Sequence, residues 1–261
     1  MKYLNNDLRF TILNMITKSK EGHLPSSFSI VDIINFMYEN ILNVNKTNYK
    51  TTKRDYFILS KGHGCAALYV VLNKIGILSN KHIDNYGMKG SILGGHPDLN
   101  KVPGVEASTG SLGHGFPTAV GIALGLKIQK KNNKVYVLLG DGECHEGTIW
   151  ESANVAKNQN LENLTAIIDL NESAMQLMPF DKLQSKWKSF GWDTYECDGH
   201  NNKSLKGIFN KIKKNKSKNP KAIIARTIKG KGVKMLEGHG KWHHKIPNEE
   251  EYNQIVKELG I

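Results

Sequence analysis

The sequence predicts an α/β domain with a mostly parallel sheet flanked by helices, and three observations carry that prediction. Residues 134–139 (KVYVLL) and 164–169 (LTAIID) are short β-branched and aliphatic runs that stop at Gly140-Asp141-Gly142 and just before Asn171. Between them residues 146–159 have helical spacing, with Ile149, Ala153 and Ala156 on one face. Strands alternate with helices along the chain, without an internal repeat or a strong linker, which indicates one domain around one sheet. A strand, a helix and a strand in sequence form a right-handed crossover with parallel strands. Asp141 and Asn171 are therefore expected at the same sheet edge, beyond the strand carboxyl ends, where open α/β sheets bind ligands.

The remaining elements follow in order. Residues 6–20 place Leu8, Ile12, Leu13 and Ile16 at helical spacing, with Asn6 as the cap. Residues 21–27 (EGHLPSS) are dense in Gly, Pro and Ser and predict a loop, after which Ser29 caps a helix burying Ile33, Ile34, Met37 and Ile41. Residues 56–59 predict a strand ending in Ser60-Lys61-Gly62-His63-Gly64, a turn that lets backbone and imidazole approach a ligand, and residues 65–75 an apolar helix. Residues 87–115 are the most glycine-dense stretch and contain His96-Pro97-Asp98. Their embedded apolar residues and the helix expected over 118–128 predict an ordered binding loop. Further on come helices over 181–190, 203–218 and 248–259 and strands over 192–197 and 222–228, with Lys229-Gly230-Lys231-Gly232 as a flexible turn. The lysines of 203–218 alternate with Leu205, Ile208, Phe209 and Ile212, so an amphipathic helix with a solvated face explains them.

At 261 residues one domain spanning 1–261 is expected, with a substantial core. The start MKYLNNDLRF lacks an apolar leader core and no stretch approaches a membrane span, so the expected location is the cytoplasm. Cys65, Cys144 and Cys197 are odd in number and widely spaced, which fits reduced thiols. A net charge of +12 raises nucleic-acid binding, but only three of 36 basic residues are arginine (Arg9, Arg54, Arg226) and the chain holds 26 asparagines. Arginine is the usual fork for bases and phosphates, so the charge reads as a Lys/Asn-biased composition, and no nucleic-acid partner is expected.

A carboxylate and an amide oxygen at adjacent strand ends are hard ligands, suited to Mg²⁺, or Ca²⁺, rather than Zn²⁺. Gly140 and Gly142 leave room for a diphosphate against the backbone, and the following helix start favours an anion. The residues alone thus point to a metal-diphosphate site. The alternative is that Gly-Asp-Gly is only a turn and Asn171 only a cap. His239, His243 and His244 form a His-rich run that admits a zinc reading, though no cysteine stands near them.

Gly140-Asp141-Gly142 followed by Glu146-Gly147, Trp150-Glu151, Asn163-Leu164 and Asp169-x-Asn171 resembles the thiamin-diphosphate motif of the transketolases. Other segments agree in order: Gly22-His23, Ser60-Lys61-Gly62-His63, Gly95-His96-Pro97-Asp98, residues 104–113 (GVEASTGSLG), Lys186-Trp187, Phe190-Gly191-Trp192, Asp198-Gly199-His200 and Lys229-Gly230-Lys231-Gly232-Val233. The similarity covers nearly the whole chain and implies the thiamin-diphosphate-binding fold of the diphosphate (PP) type.

The resemblance also implies roles. Asp141 and Asn171 match metal ligands, with a main-chain carbonyl near Ser173 as the third. Gly140, Gly142, Glu143, Gly110, Ser111 and Leu112 fall in segments that touch the cofactor, as do His63 and His243 near its phosphates and the substrate. His23 and His96 match histidines that contact donor hydroxyls and assist proton transfer, and Glu146 matches a glutamate coupling two active sites of a dimer. The implied reaction moves a two-carbon ketol unit from a ketose, a sugar or sugar phosphate, to an aldose, with thiamin diphosphate as electron sink.

Transketolases also carry pyrimidine-binding and C-terminal domains, to which no part of these 261 residues is similar and which are expected on a separate chain. The resemblance is therefore to the N-terminal subunit of a split transketolase, active only with a pyrimidine-binding partner and expected as a heterotetramer of two copies of each. Several positions depart from the family pattern. His114 and His145 stand where Gln is common, His244 replaces Gly, and residues 171–179 lack the glycine usual after the metal asparagine, in a loop several residues short. A specialised ketol transferase, or an assembly protein that has lost cofactor binding, are the other readings.

Overall fold

A computed structural model of the chain describes residues 5–174, 178–179, 182–238, 240 and 242–261. Five strands form one sheet: β1 (Tyr56–Leu59), β2 (Val135–Gly140), β3 (Leu164–Leu170), β4 (Asp193–Asp198) and β5 (Lys221–Arg226). Their order is β1-β2-β3-β5-β4 and every pairing is parallel. Helices cover both faces, as a parallel sheet requires. The helices are α1 (Asn6–Ser19), α2 (Leu24–Asn40), α3 (Cys65–Lys74), α4 (Asn80–Asp84), α5 (Gly115–Ile128), α6 (Gly147–Asn158), α7 (Leu183–Ser189), α8 (Asn202–Lys214) and α9 (Glu249–Leu259).

Strand alternation divides the core in two. Phe57, Leu59, Ile167, Ile223 and Ala225 pack under α1, α2, α3, α8 and α9, whereas Ile58, Ala166, Ile168, Ala222 and Ile224 pack under α5, α6 and α7. Trp187, 0% exposed, anchors the second cluster against Phe116, Trp150 and Trp192. The three cysteines are buried and free, as expected. Among the described residues no helix is long and apolar enough to cross a membrane.

Three local expectations are corrected. The second helix begins at Leu24, inside the stretch read as a loop, because Pro25 sits in the first turn where a missing N–H costs nothing. Ser29 is consequently not a cap; it is buried in α2 and donates to Asp169 Oδ1 at 2.7 Å. Asn6 does not cap α1 either. Asn5 holds that position in the left-handed region, and the Asn6 amide reaches the carbonyl of Leu259 at 2.7 Å, tying α1 to α9. The helix expected over 181–190 is described from Leu183, Asp181 lying outside the described residues. α4 was not anticipated, and α5 starts three residues early, at Gly115, where a side chain would meet Ser60 Cα at 2.6 Å.

Candidate active site

The register between β2 and β3 builds the site's floor. Gly140 pairs with Asp169, so Asp141 and Asn171 leave the sheet side by side. Asp141 turns the chain into the 3-10 turn Gly142–His145, and its Oδ1 accepts the N–H of Gly142 at 2.7 Å. Its Oδ2 is buried and has no hydrogen-bond partner among the described residues. Burial first, then the charge of Asp169, push this carboxyl above its ordinary range, against the pull of Lys61. A buried carboxylate oxygen with no partner is a costly feature that a cation would offset.

Asn171 is oriented by a buried network. Its amide donates to Asp169 Oδ2 at 2.9 Å and to Ser29 Oγ at 3.2 Å, which leaves Oδ1 turned outward, where it accepts the N–H of Ser173 at 3.0 Å. Asp169 also accepts from Lys61 Nζ at 2.6 Å and from Thr227. Ser173 closes the turn, helped by Glu172 at φ 62, and its hydroxyl accepts from Lys229 Nζ at 2.7 Å. Lys229 is 4% exposed, and its ammonium also lies 3.0 Å from His243 Nδ1. Burial, then repulsion from Lys61, lower its pKa, while Asp141 and Asp169 oppose that shift.

Above this floor stand five imidazoles from four loops, His243 and His244 being neighbours in one of them. The ring of His23, the residue before α2, lies 5.2 Å from His63, 5.6 Å from His243 and 4.7 Å from His244. Burial, then neighbouring imidazoles led by His244, hold His23 at about 4; burial and Lys61 hold His63 at about 2. His243 is also lowered, by burial and Lys229. All three are neutral imidazoles at pH 7, and His23 Nδ1 is buried without a partner. His96 belongs to the same rim: it adds to the depression of His23, and a side chain on Gly110 would meet its ring at 3.3 Å.

These shifts have a measurable consequence. The folded values of His23 and His63 lie below the ordinary 6.5. Their neutral burial therefore contributes stability that is full above that pH and is lost as pH falls towards the folded values. Thermal unfolding between pH 7 and 4.5 should show stability falling by up to about 1.4 kcal/mol per pH unit for each imidazole. His23→Gln should flatten the slope; an unchanged slope would remove His23 from this account.

The loop of residues 104–113 is ordered, as expected. Thr109 donates to the Leu59 carbonyl at 2.7 Å, and any side chain on Gly62 would strike the Thr109 carbonyl at 2.7 Å. Gly110, Ser111 and Leu112 lie partly open on its crest. Glu143 is 1% exposed and turned inward, accepting from Ser60 Oγ at 2.5 Å, Gly113 N at 2.9 Å and Gly140 N at 3.2 Å. It staples the loop to the ends of β1 and β2. Glu146 is exposed at the start of α6 beside Gly113 and stands apart from the imidazoles.

Sequence reasoning gave no role in the site to Lys61, Asp169 or Lys229, though it quoted them in matching segments, nor to Thr227, and it read Ser29 only as a helix cap. One signal was available: in a strand, residues two apart share a face, so Asp169 had to lie on the side of Asn171. His200 was also passed over. It lies 2.7 Å from Asp32, which pairs with Arg9 at 2.5 Å, and Arg9 Nε donates to the Lys231 carbonyl at 2.8 Å, fixing the loop that carries Lys229. Among the described residues there is no group of three His, Cys, Asp or Glu side chains placed to hold a metal; His239, one of the three histidines of the zinc reading, lies outside those residues.

A parallel sheet with a buried, unpartnered carboxylate oxygen, an oriented amide and a buried ammonium at its carboxyl edge is the arrangement of an α/β domain that binds its ligand at that edge. The chain belongs to the transketolases, a family of transferases: the model "Transketolase, thiamine diphosphate binding domain" matches residues 1–261. It is 40% identical to an apulose-4-phosphate transketolase subunit of Phocaeicola vulgatus, over 96% of this chain and 90% of that protein. It is 34% identical to the 6-deoxy-6-sulfo-D-fructose transketolase subunit SqwG of a Clostridium species, over 99% and 96%. Against human transketolase the identity is 33%, and the chain spans 42% of that protein's length. The transketolase structure from Campylobacter jejuni superposes with a TM-score of 0.89 at 28% identity, covering 98% of this chain and 42% of that one. The thiamin-diphosphate-binding fold is thereby established.

Proposed function

We propose that this chain is the cofactor-binding subunit of a two-subunit transketolase, building its active site with a separate pyrimidine-binding subunit. The observation that carries the reading is the unpartnered, buried Asp141 Oδ2 beside the outward Oδ1 of Asn171. A divalent cation fits these donors: Asp141, Asn171 and the main-chain carbonyl of Ser173 would hold Mg²⁺, or Ca²⁺, with the remaining positions left to diphosphate oxygens and water. Gly142 would lie against the diphosphate, and Lys229 supplies positive charge next to it. The likeness to proteins that are themselves named as transketolase subunits, along almost their whole length, supports the partner.

When bound, thiamin diphosphate supplies the electron sink for breaking and making the carbon–carbon bond. The protein's part is orientation and proton movement. His23 and His96 meet the donor's hydroxyls and His63 and His243 lie near the cofactor phosphates and the substrate; His23, His63 and His243 do so as neutral imidazoles that can accept a proton or hand one on. Gly110, Ser111 and Leu112 would border the cofactor. Glu143 would act there indirectly, by fixing their loop, and Glu146 faces outward, where it can meet a second subunit. The substrates are a ketose donor and an aldose acceptor, the enzyme a cytoplasmic heterotetramer of carbohydrate metabolism.

Titration calorimetry tests this. Thiamin diphosphate with Mg²⁺ should bind the chain, and ketol transfer should appear only when the partner subunit is added. Absence of cofactor binding in both samples would overturn the reading in favour of an assembly protein. Transfer by the chain alone would overturn the need for a partner.

A further inference from the structure

At the opposite, amino-terminal edge of the sheet lies a second cavity, of about 540 Å³, between the starts of β2, β3 and β5 and the ends of α2 and α8. The six residues of β2 separate it from Asp141, a distance of about 20 Å. Lys134, Lys213, Lys216 and Lys221 line it, against one carboxylate, Glu162.

Lys221 decides its character. The residue is 4% exposed, yet its ammonium meets only neutral acceptors, the carbonyls of Glu162 at 3.2 Å and Ser217 at 3.3 Å, so one of its three N–H donors is left over. Asp193 draws on it electrostatically but is engaged elsewhere, accepting from Asn215 at 2.8 Å and Asn219 at 2.9 Å. Burial, then Asp193 and Glu162 pulling against Lys134, set its balance, and the net shift is downward. Among the described residues none of the four lysines forms an ion pair. The solvated face of α8 accounts for Lys213 but not for Lys221, which starts a strand and points into the fold.

Four lysines gathered about a buried ammonium that has no ion-paired carboxylate among the described residues are complementary to an anion. The cavity is larger than one phosphate group needs. Asn210 and Thr165 offer polar contacts, and Phe209 and Ile212 an apolar wall, for the rest of a molecule. We propose that this cavity is a binding site for a phosphate monoester, its phosphate held by Lys221 and Lys134 and its organic part by the end of α8. The site is separate from the cofactor edge and does not depend on the function proposed for it.

The test is calorimetric titration of the full chain, first without thiamin diphosphate and then with thiamin diphosphate and Mg²⁺ present, so that binding in this cavity is told apart from binding at the cofactor edge whether or not the cofactor itself binds. The probes are inorganic phosphate, glycerol 3-phosphate and adenosine monophosphate. At least one monoester should bind more tightly than inorganic phosphate, which also tells a polyol from a nucleoside as the organic part. Lys221→Met should weaken that binding by roughly tenfold or more, and Lys134→Ala and Lys216→Ala by about threefold each. Lys134 and Lys216 are exposed, so their variants keep the fold and the test stands even if Lys221→Met does not fold. Equal binding of all three probes, no binding, or undiminished binding by the Lys134→Ala/Lys216→Ala double variant would overturn the proposal.

Discussion

Replacing Asp141 by alanine is expected to weaken metal-dependent binding of thiamin diphosphate by roughly 100-fold or more, about 2.7 kcal/mol. The same change should leave the cofactor-free chain as stable as before, or more so. Both follow from one geometry. Oδ1 accepts the short turn bond from Gly142, the Glu172 N–H adds a weaker pull on the carboxyl, and Oδ2 is buried without a hydrogen-bond partner among the described residues. Because burial and Asp169 raise the folded pKa, this carboxyl adds stability only at low pH and loses it as pH rises through the folded value. At pH 7 the bare carboxylate is a net cost that a bound cation turns into a gain. Calorimetry with thiamin diphosphate and Mg²⁺, beside thermal unfolding of the free chain, separates the two effects. Unchanged binding would remove Asp141 from the metal site, and marked destabilisation without cofactor would make it a structural residue.

Asp169→Ala should do the reverse, lowering the stability of the free chain by about 3–5 kcal/mol. Asp169 and Lys61 form an ion pair with side chains 0% and 3% exposed, and Ser29, Asn171 and Thr227 fill the remaining acceptor positions. Removing the carboxylate strands a buried ammonium and frees the Asn171 amide to turn. Guanidinium unfolding should therefore show the loss, with a smaller one for Asp169→Asn, which keeps one acceptor oxygen. Lys61→Met combined with Asp169→Leu should recover much of the stability but not cofactor binding, since nothing would orient Asn171. A loss below about 1 kcal/mol for Asp169→Ala would mean that the pair is solvated and not holding the site.

Much of the site was legible because its residues follow directly from strand ends. A hydrophobic run that stops at Gly-Asp-Gly, a crossover helix and a second run ending near Asn171 force Asp141 and Asn171 to one edge, whatever the rest of the chain does. The misses are of another kind. Pro25 and three serines within six residues (Ser26, Ser27, Ser29) look like a loop locally, yet they form the first turns of α2 because Ser29 finds its partner, Asp169, 140 positions away. Local propensity describes what a segment prefers in water, and a buried long-range hydrogen bond outweighs it. The same holds for Asn6 and Leu259, partners 253 positions apart.

What the sequence determined by itself is the alternation of strands and helices and the sheet edge at which Asp141 and Asn171 stand, with the resemblance to the transketolases adding His23, His63, His96 and His243 as expected companions. The first two depend on periodicity and on where the apolar runs stop, which are properties of neighbours along the chain. Only the tertiary structure decided that Asp169 rather than solvent orients Asn171, that Glu143 faces inward while Glu146 faces out, and that Lys229 stands between Ser173 and His243. Only it could place Lys221 beside Lys134 at the far edge of the sheet. In each case the deciding quantity is burial, which turns an ordinary polar side chain into one that must find a partner, and burial is set by packing between distant segments.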